Sequence, residues 1–251
     1  EDAGVEDVQH LNGLQFEDMP LGFNFHDPKD FAMYYRAWAN IDEERLEKIV
    51  SISVEQGIVQ TPTIMVQDRI AGMRDPGETF DQSSHFLPRY YRDILWDPEA
   101  GLTYLQGQSE SVLTDMKQAV DQIRRVVGRL NEAGVTILAG TDGPGNPCTT
   151  PGVSLHEEFH NLVLSGLSPE EALAAGTRHG GEFLGQPMLG TLQENAPADI
   201  ALFREDPTRD LSALSSLVAV AANWRLYPKE VLDEGLMRHK KHFESRLFES
   251  V

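Results

Sequence analysis

The sequence predicts an α/β protein with a parallel sheet. Three observations carry this. A helical apolar stripe, a glycine and a short apolar strand follow one another twice, over 42–64 and over 112–139. The second of those strands, 135–139, is apolar without alternation, as expected when both faces of a strand are buried. Strands that alternate with helices read as βα units of a parallel sheet.

The elements follow in chain order. Residues 5–11 form a short strand with His10 near its end. Over 42–56, Leu46, Ile49, Val50 and Val54 share one helical face, and Asp42, Glu43 and Glu44 suit the positive end of that helix. Gly57 supplies a left-handed cap. A strand over 58–64 follows, with pairing interrupted near its end by Pro62. Between 68 and 108 the chain is rich in Asp, Pro, Gly and aromatic residues, the texture of a lid or pocket wall. Val112, Leu113, Met116, Ala119, Val120, Ile123, Val127 and Leu130 then make a long helical stripe, ended by Gly134. Strand 135–139 closes on Gly140-Thr141-Asp142-Gly143. A helix over 155–165 precedes Gly166, and Ser168-Pro169-Glu170-Glu171 opens another with a cap, a proline and a capping glutamate. Beyond Gly185, stretches 198–203, 216–222 and 224–227 read as strands of a small β unit, and 229–248 as a polar helix. The division is thus 1–185, with the excursion 68–108 inside it, a small β unit 186–228, and a terminal helix 229–251.

Composition removes several classes of function. The net charge is −19, from 40 acidic and 21 basic residues, so a polyanion such as nucleic acid is repelled. No apolar run reaches the roughly 18 residues of a membrane-spanning helix. The single cysteine, Cys148, permits no intrachain disulfide and lies in a Gly/Pro-rich loop without an activating base nearby in sequence. A soluble protein of the cytoplasm or periplasm fits this inventory.

Four groups of residues offer chemistry. Asp142 stands just beyond the carboxyl end of a buried parallel strand, where barrel enzymes place catalytic groups, and a carboxylate there can bind a metal and accept a proton. A turn aspartate is the structural alternative, since Asp-Gly favours turns. His10 holds a similar position and can ligate zinc through one nitrogen; a satisfied core histidine is the alternative. His156-Glu157-Glu158-Phe159-His160 matches H-E-x-x-H, whose histidines share a helical face. That pattern would suit a zincin-type metalloprotease, but no third ligand follows at the required spacing. Arg89 and Tyr90, in the aromatic excursion, are candidates to hold a substrate carboxylate and wall a pocket, and His156 is placed with them as a substrate-binding candidate.

Gly134-Val135-Thr136-Ile137-Leu138-Ala139-Gly140-Thr141-Asp142 resembles the eighth barrel strand of the amidohydrolase superfamily, in its imidazolonepropionase-like and prolidase-like branch. The helix pair beginning at Leu155-His156-Glu157-Glu158 and at Ser168-Pro169-Glu170-Glu171 is similar to the pair that follows in that branch. Leu189-Gly190-Thr191-Leu192 and Ala198-Asp199-Ile200-Ala201-Leu202 resemble its return into a small β domain. Val8-Gln9-His10-Leu11 is similar to the sixth-strand histidine segment, and Gln60-Thr61-Pro62-Thr63-Ile64 falls where the seventh strand belongs. The resemblance implies the carboxy-terminal part of a (β/α)8 TIM-type barrel, strands 6–8, with an appended β-sandwich unit. It implies His10 and Asp142 as ligands to one or two divalent metals, zinc first, with Asp142 also the catalytic proton acceptor. The implied reaction is hydrolysis of a carbon–nitrogen bond in a small amide, peptide or cyclic amide by a metal-activated water. The family's remaining ligands lie on earlier strands, so residues upstream of Glu1 are expected to carry them. The rival expectation is a non-catalytic half-barrel that needs a partner chain or forms a homo-oligomer.

Overall fold

The computed structural model describes residues 4–72, 83–97, 101–102, 106–146 and 148–244. Strand β1 (Asp7–Gln9) lies parallel to β2 (Val59–Thr61), with Val8 opposite Gln60. Gln60 then bridges in parallel to Ile137: its amide meets the Thr136 carbonyl at 3.0 Å, and its carbonyl takes the Leu138 amide at 2.9 Å. The three expected parallel strands are therefore present in the order β1, β2, 135–139.

All three are shorter than the sequence suggests. The 135–139 segment keeps only the one bridge, because its outer edge is turned to other uses: the Ile137 carbonyl meets His179 Nδ1 at 3.1 Å and the Ala139 amide goes to the Ala175 carbonyl at 3.0 Å. The strand expected to run through residue 64 stops at Thr61. Pro62 has no amide to donate to a ladder, Thr63 turns left-handed (φ 46°), and Ile64 is already the first residue of a helix.

Helix α1 (Pro28–Ala39) was not expected. Asp27 caps it by accepting from the amides of Lys29 and Asp30, and Phe31, Tyr34, Tyr35 and Trp38 form its buried face. Helix α2 (Glu43–Gln56) is capped by Asp42 and ends on left-handed Gly57, as its sequence predicts. Helix α3 (Ile64–Ala71) follows β2 directly, and α4 (Glu110–Glu132) is the long amphipathic helix. Its buried stripe from Val112 to Leu130 packs against α1, α2 and α3 to make the main apolar core. Helices α5 (Val153–Leu164) and α6 (Pro169–Ala175) form the expected pair, the second opened by a complete capping box between Ser168 and Glu171. The short α7 (Arg178–Phe183) ends this part of the chain.

The excursion over 68–108 is described only in part; 73–82, 98–100 and 103–105 lie outside the described residues. Within it Leu87 and Trp96 are buried against Cys148, so this part of the excursion is packed onto the loop that follows Asp142. The small β unit is a three-stranded antiparallel sheet of β3 (Ile200–Phe203), β4 (Leu217–Ala222) and β5 (Arg225–Pro228). Its first and last strands begin later than predicted. Trp224 falls in the two-residue turn with Asn223, where both have positive φ, which joins paired Ala222 and Arg225. Among the described residues a single sheet stands where a sandwich was expected, and α8 (Lys229–Glu244) packs on β4 and β5. From there His239 Nε2 meets the Phe86 carbonyl at 2.9 Å, tying the terminal helix back to the excursion. Residues 245–248 of the predicted helix lie outside the described residues.

Candidate active site

Each parallel strand runs out onto a residue with left-handed backbone: His10 (φ 58°), Thr63 (φ 46°) and Asp142 (φ 44°). Such conformations are uncommon for side chains with a Cβ, and strained for a β-branched one. Here they turn three polar side chains toward one another at the carboxyl ends of the strands. His10 Nε2 lies 3.2 Å from Asp142 Oδ2. On its other side the imidazole Nδ1 is hydrogen-bonded to the Thr63 hydroxyl. The His10 amide donates to the Thr61 carbonyl at 2.8 Å, which fixes the turn leaving β1. Asp142 Oδ2 also accepts from Asn146 Nδ2 at 2.7 Å.

The imidazole is mostly buried, at 18% exposure, and the carboxylate is open, at 56%. Burial holds His10 below the ordinary histidine range, opposed by the charge of Asp142 and by its hydrogen bond. His10 is therefore neutral near pH 7. The Thr63 hydroxyl is 2.8 Å from the Pro62 carbonyl. The hydroxyl thus lies within hydrogen-bonding reach of both the Pro62 carbonyl and His10 Nδ1. At the distance between His10 Nε2 and Asp142 Oδ2 the two atoms can share a proton, and an imidazole nitrogen and a carboxylate oxygen set together are donors that a divalent metal takes, so the pair fits one. Among the described residues no third histidine, cysteine or carboxylate joins them.

Gly140 allows the close approach of strands that builds the site. A Cβ there would stand 2.6 Å from Thr61 Cγ2 and 3.2 Å from Thr63 Cγ2.

The H-E-x-x-H stretch lies on α5 and serves the fold differently. His156 and His160 are exposed and border a surface groove of about 470 Å³ with Asp68, Arg69 and Asn161. Glu157, the glutamate a zincin would use on water, is ion-paired with Arg69. Its neighbour Glu158 is wholly buried and accepts from the Ile64 amide at 3.1 Å and the Met65 amide at 2.8 Å. Burial pushes the Glu158 carboxyl up to about 7, against the pull of the Met65 and Ile64 amides and of Arg124. Arg89 is held by Asp93 at 2.7 Å, and the Tyr90 ring meets Tyr91 edge-on.

Thr63, Asn146 and Glu158 escaped the sequence reading. The signal for Glu158 was present: on α5 it falls four residues after Ser154 and three before Asn161, so a charge occupies the helix's buried face.

Residues 92–224 match the amidohydrolase family. Ochratoxinase from Aspergillus niger is 33% identical over 97 residues, which cover 38% of this chain and 19% of that protein. Among solved structures, bottromycin amidohydrolase superposes with a TM-score of 0.66 at 21% identity, over 95% of this chain and 49% of that one. The structure of A. niger ochratoxinase superposes with a TM-score of 0.51 at 20% identity, over 90% of this chain and 38% of that one. The chain thus spans less than half the length of these relatives, and their likeness establishes a shared fold over part of the barrel. With more than half of its residues inside the family match, this chain belongs to the amidohydrolase family.

Proposed function

We propose that this chain forms the carboxy-terminal part of a metal-dependent hydrolase that cuts a carbon–nitrogen bond in a small amide, N-acyl amino acid, dipeptide or cyclic amide. The observation that carries the reading is the pair His10 Nε2 and Asp142 Oδ2, set 3.2 Å apart at the ends of two parallel strands. His10 would hold the metal through Nε2 and Asp142 through its carboxylate. A divalent ion such as zinc, when bound, supplies Lewis acidity and makes water a nucleophile near neutral pH. Asp142 accepts the proton released as water attacks the carbonyl carbon and delivers it to the departing nitrogen. Its open carboxylate has access to solvent and substrate, while Asn146 and the left-handed turn keep it aimed at His10. The net charge of −19 argues against nucleic-acid substrates. Among the described residues no helix is long and apolar enough to cross a membrane.

The test is His10→Ala in the complete protein, with zinc content by mass spectrometry and hydrolysis of a panel of N-acyl amino acids and dipeptides. Loss of both zinc and turnover supports the reading. Wild-type zinc and turnover in the variant would overturn it. A complete protein that binds no zinc and hydrolyses nothing would favour the rival, a non-catalytic half-barrel needing a partner, which three parallel strands too few to close a barrel would suit.

A further inference from the structure

Helix α3 begins in an unusual way. A helix start leaves several amides without partners, and the usual remedy is the side chain of the N-cap residue in an extended conformation. Thr63 is a residue type suited to that role, yet it makes no capping bond and its backbone is left-handed. Its hydroxyl has gone instead to His10 Nδ1 and the Pro62 carbonyl. The duty it left is taken by a carboxylate from a different helix: Glu158 spans the Ile64 and Met65 amides with one oxygen on each. Glu158 has no exposed surface, and the nearby Arg124 is engaged elsewhere, with Asn161 Oδ1 at 2.6 Å and Asp68 Oδ1 at 3.2 Å. A buried carboxylate is a costly cap for a surface-length helix; an apolar residue at 158 with Thr63 capping its own helix would be the simpler arrangement.

We propose that Glu158 is a positioning residue: by capping α3 in place of Thr63, it frees the Thr63 hydroxyl to hold the His10 imidazole with Nε2 directed at Asp142. Glu158 touches neither His10 nor Asp142 in this arrangement and acts through Thr63. The inference rests on the reading of His10 as a metal ligand, but the ring orientation can be tested apart from it.

The experiment uses the complete protein and three variants: Glu158→Gln, Thr63→Val and their combination. Glutamine keeps the volume but offers one acceptor, and sets an NH2 group against the second amide. The His10 tautomer is read by long-range nitrogen–proton NMR of the metal-free protein, and zinc affinity by competition with a chelator. Glu158→Gln is expected to convert a single His10 tautomer into a mixture, and to weaken zinc binding by roughly 10–100-fold, the usual effect of losing a group that orients a ligand. Thr63→Val should do the same, and the double variant should be little worse than either single one, since both break one chain of contacts. A residue that only stabilises the fold would lower the melting temperature without changing tautomer or affinity, and that result overturns the proposal, as do effects of the two substitutions that multiply. Should Glu158→Gln fail to fold, Thr63→Val with Thr63→Ser as rescue carries the test, and an unchanged His10 tautomer in Thr63→Val overturns it. If His10→Ala leaves zinc affinity intact while Glu158→Gln still shifts the tautomer, the metal reading fails and the positioning role stands. If His10→Ala abolishes binding while Glu158→Gln changes nothing, the positioning role fails alone.

Discussion

His10 Nε2 and Asp142 Oδ2 stand 3.2 Å apart, and each side chain is held by a second partner, Thr63 at Nδ1 of the imidazole and Asn146 at the same carboxylate oxygen. The grip on Asp142 makes a clean substitution available. Asparagine tolerates the left-handed backbone at this position better than most residues, and its amide can still bond Asn146. It cannot accept a proton from water. Asp142→Asn in the complete protein should therefore lower turnover by about 10²–10⁴-fold, the usual contribution of general acid–base catalysis, with little change in melting temperature. Turnover near wild type would remove the catalytic role. Parallel loss of stability and activity would make Asp142 a turn residue.

The paired histidines on α5 are expected to be dispensable for metal. His156 and His160 are exposed, and Glu157 between them is committed to Arg69. The double alanine variant should retain full zinc content and shift stability by no more than about 0.5 kcal/mol, as exposed substitutions usually do. Zinc loss as complete as that of His10→Ala would reinstate the metalloprotease reading of this stretch.

Glu158 gives the chain a particular pH dependence. Its folded-state value, about 7, lies above the ordinary value of 4.5 because of burial. Between those two values the native state holds a proton that the unfolded state has released. Stability from this group is thus fully present below pH 4.5 and is lost as pH rises through 7, by an amount on the order of 3 kcal/mol for a shift of this size. His10, held below its ordinary value, works the other way: its contribution is present above pH 6.5 and is lost as pH falls through the folded value. Urea denaturation of the metal-free protein at a series of pH values separates them. Glu158→Gln should flatten the decline between pH 4.5 and 7; an unaltered slope in that variant would mean that Glu158 is not the group responsible.

Much of this arrangement was legible in the sequence, and the gaps have physical causes. The stripes of α2 and α4, the Gly57 cap and the Ser168 capping box are local signals, and the structure follows them closely. His10 and Asp142 could be singled out because both follow apolar strands, where a polar residue has nowhere to go but the strand's mouth. Helix α1 carries an equally local signal in Asp27-Pro28 and in the spacing of Phe31, Tyr34, Tyr35 and Trp38. Thr63 and Glu158 are different. Their roles arise from contacts between segments distant in sequence, and nothing in the local pattern around Thr63 distinguishes a helix cap from a histidine partner. Strand lengths were overestimated because apolar residues mark burial, whereas a strand also needs a neighbour, and 135–139 has one on a single edge among the described residues.

Gly140 offers a test of how tightly the strands must approach. A methyl group there would meet Thr61 Cγ2 at 2.6 Å and Thr63 Cγ2 at 3.2 Å. Neither threonine can rotate away freely, because the Thr61 hydroxyl is bonded to Asp7 Oδ1 at 2.8 Å and the Thr63 hydroxyl to His10 and Pro62. Gly140→Ala must then push β2 from the 135–139 segment, at a cost of about 1–3 kcal/mol by the usual price of overpacking, and it should displace Thr63 enough to weaken zinc binding. Thr61→Ser removes the offending methyl and keeps the hydroxyl for Asp7. The double variant Gly140→Ala with Thr61→Ser should therefore recover most of the lost stability, leaving only the looser contact with Thr63. Melting temperature and zinc affinity of the two single variants and the double one check this. A Gly140→Ala protein as stable as wild type, or one that Thr61→Ser does nothing to rescue, would show that the approach of these strands is not what requires glycine.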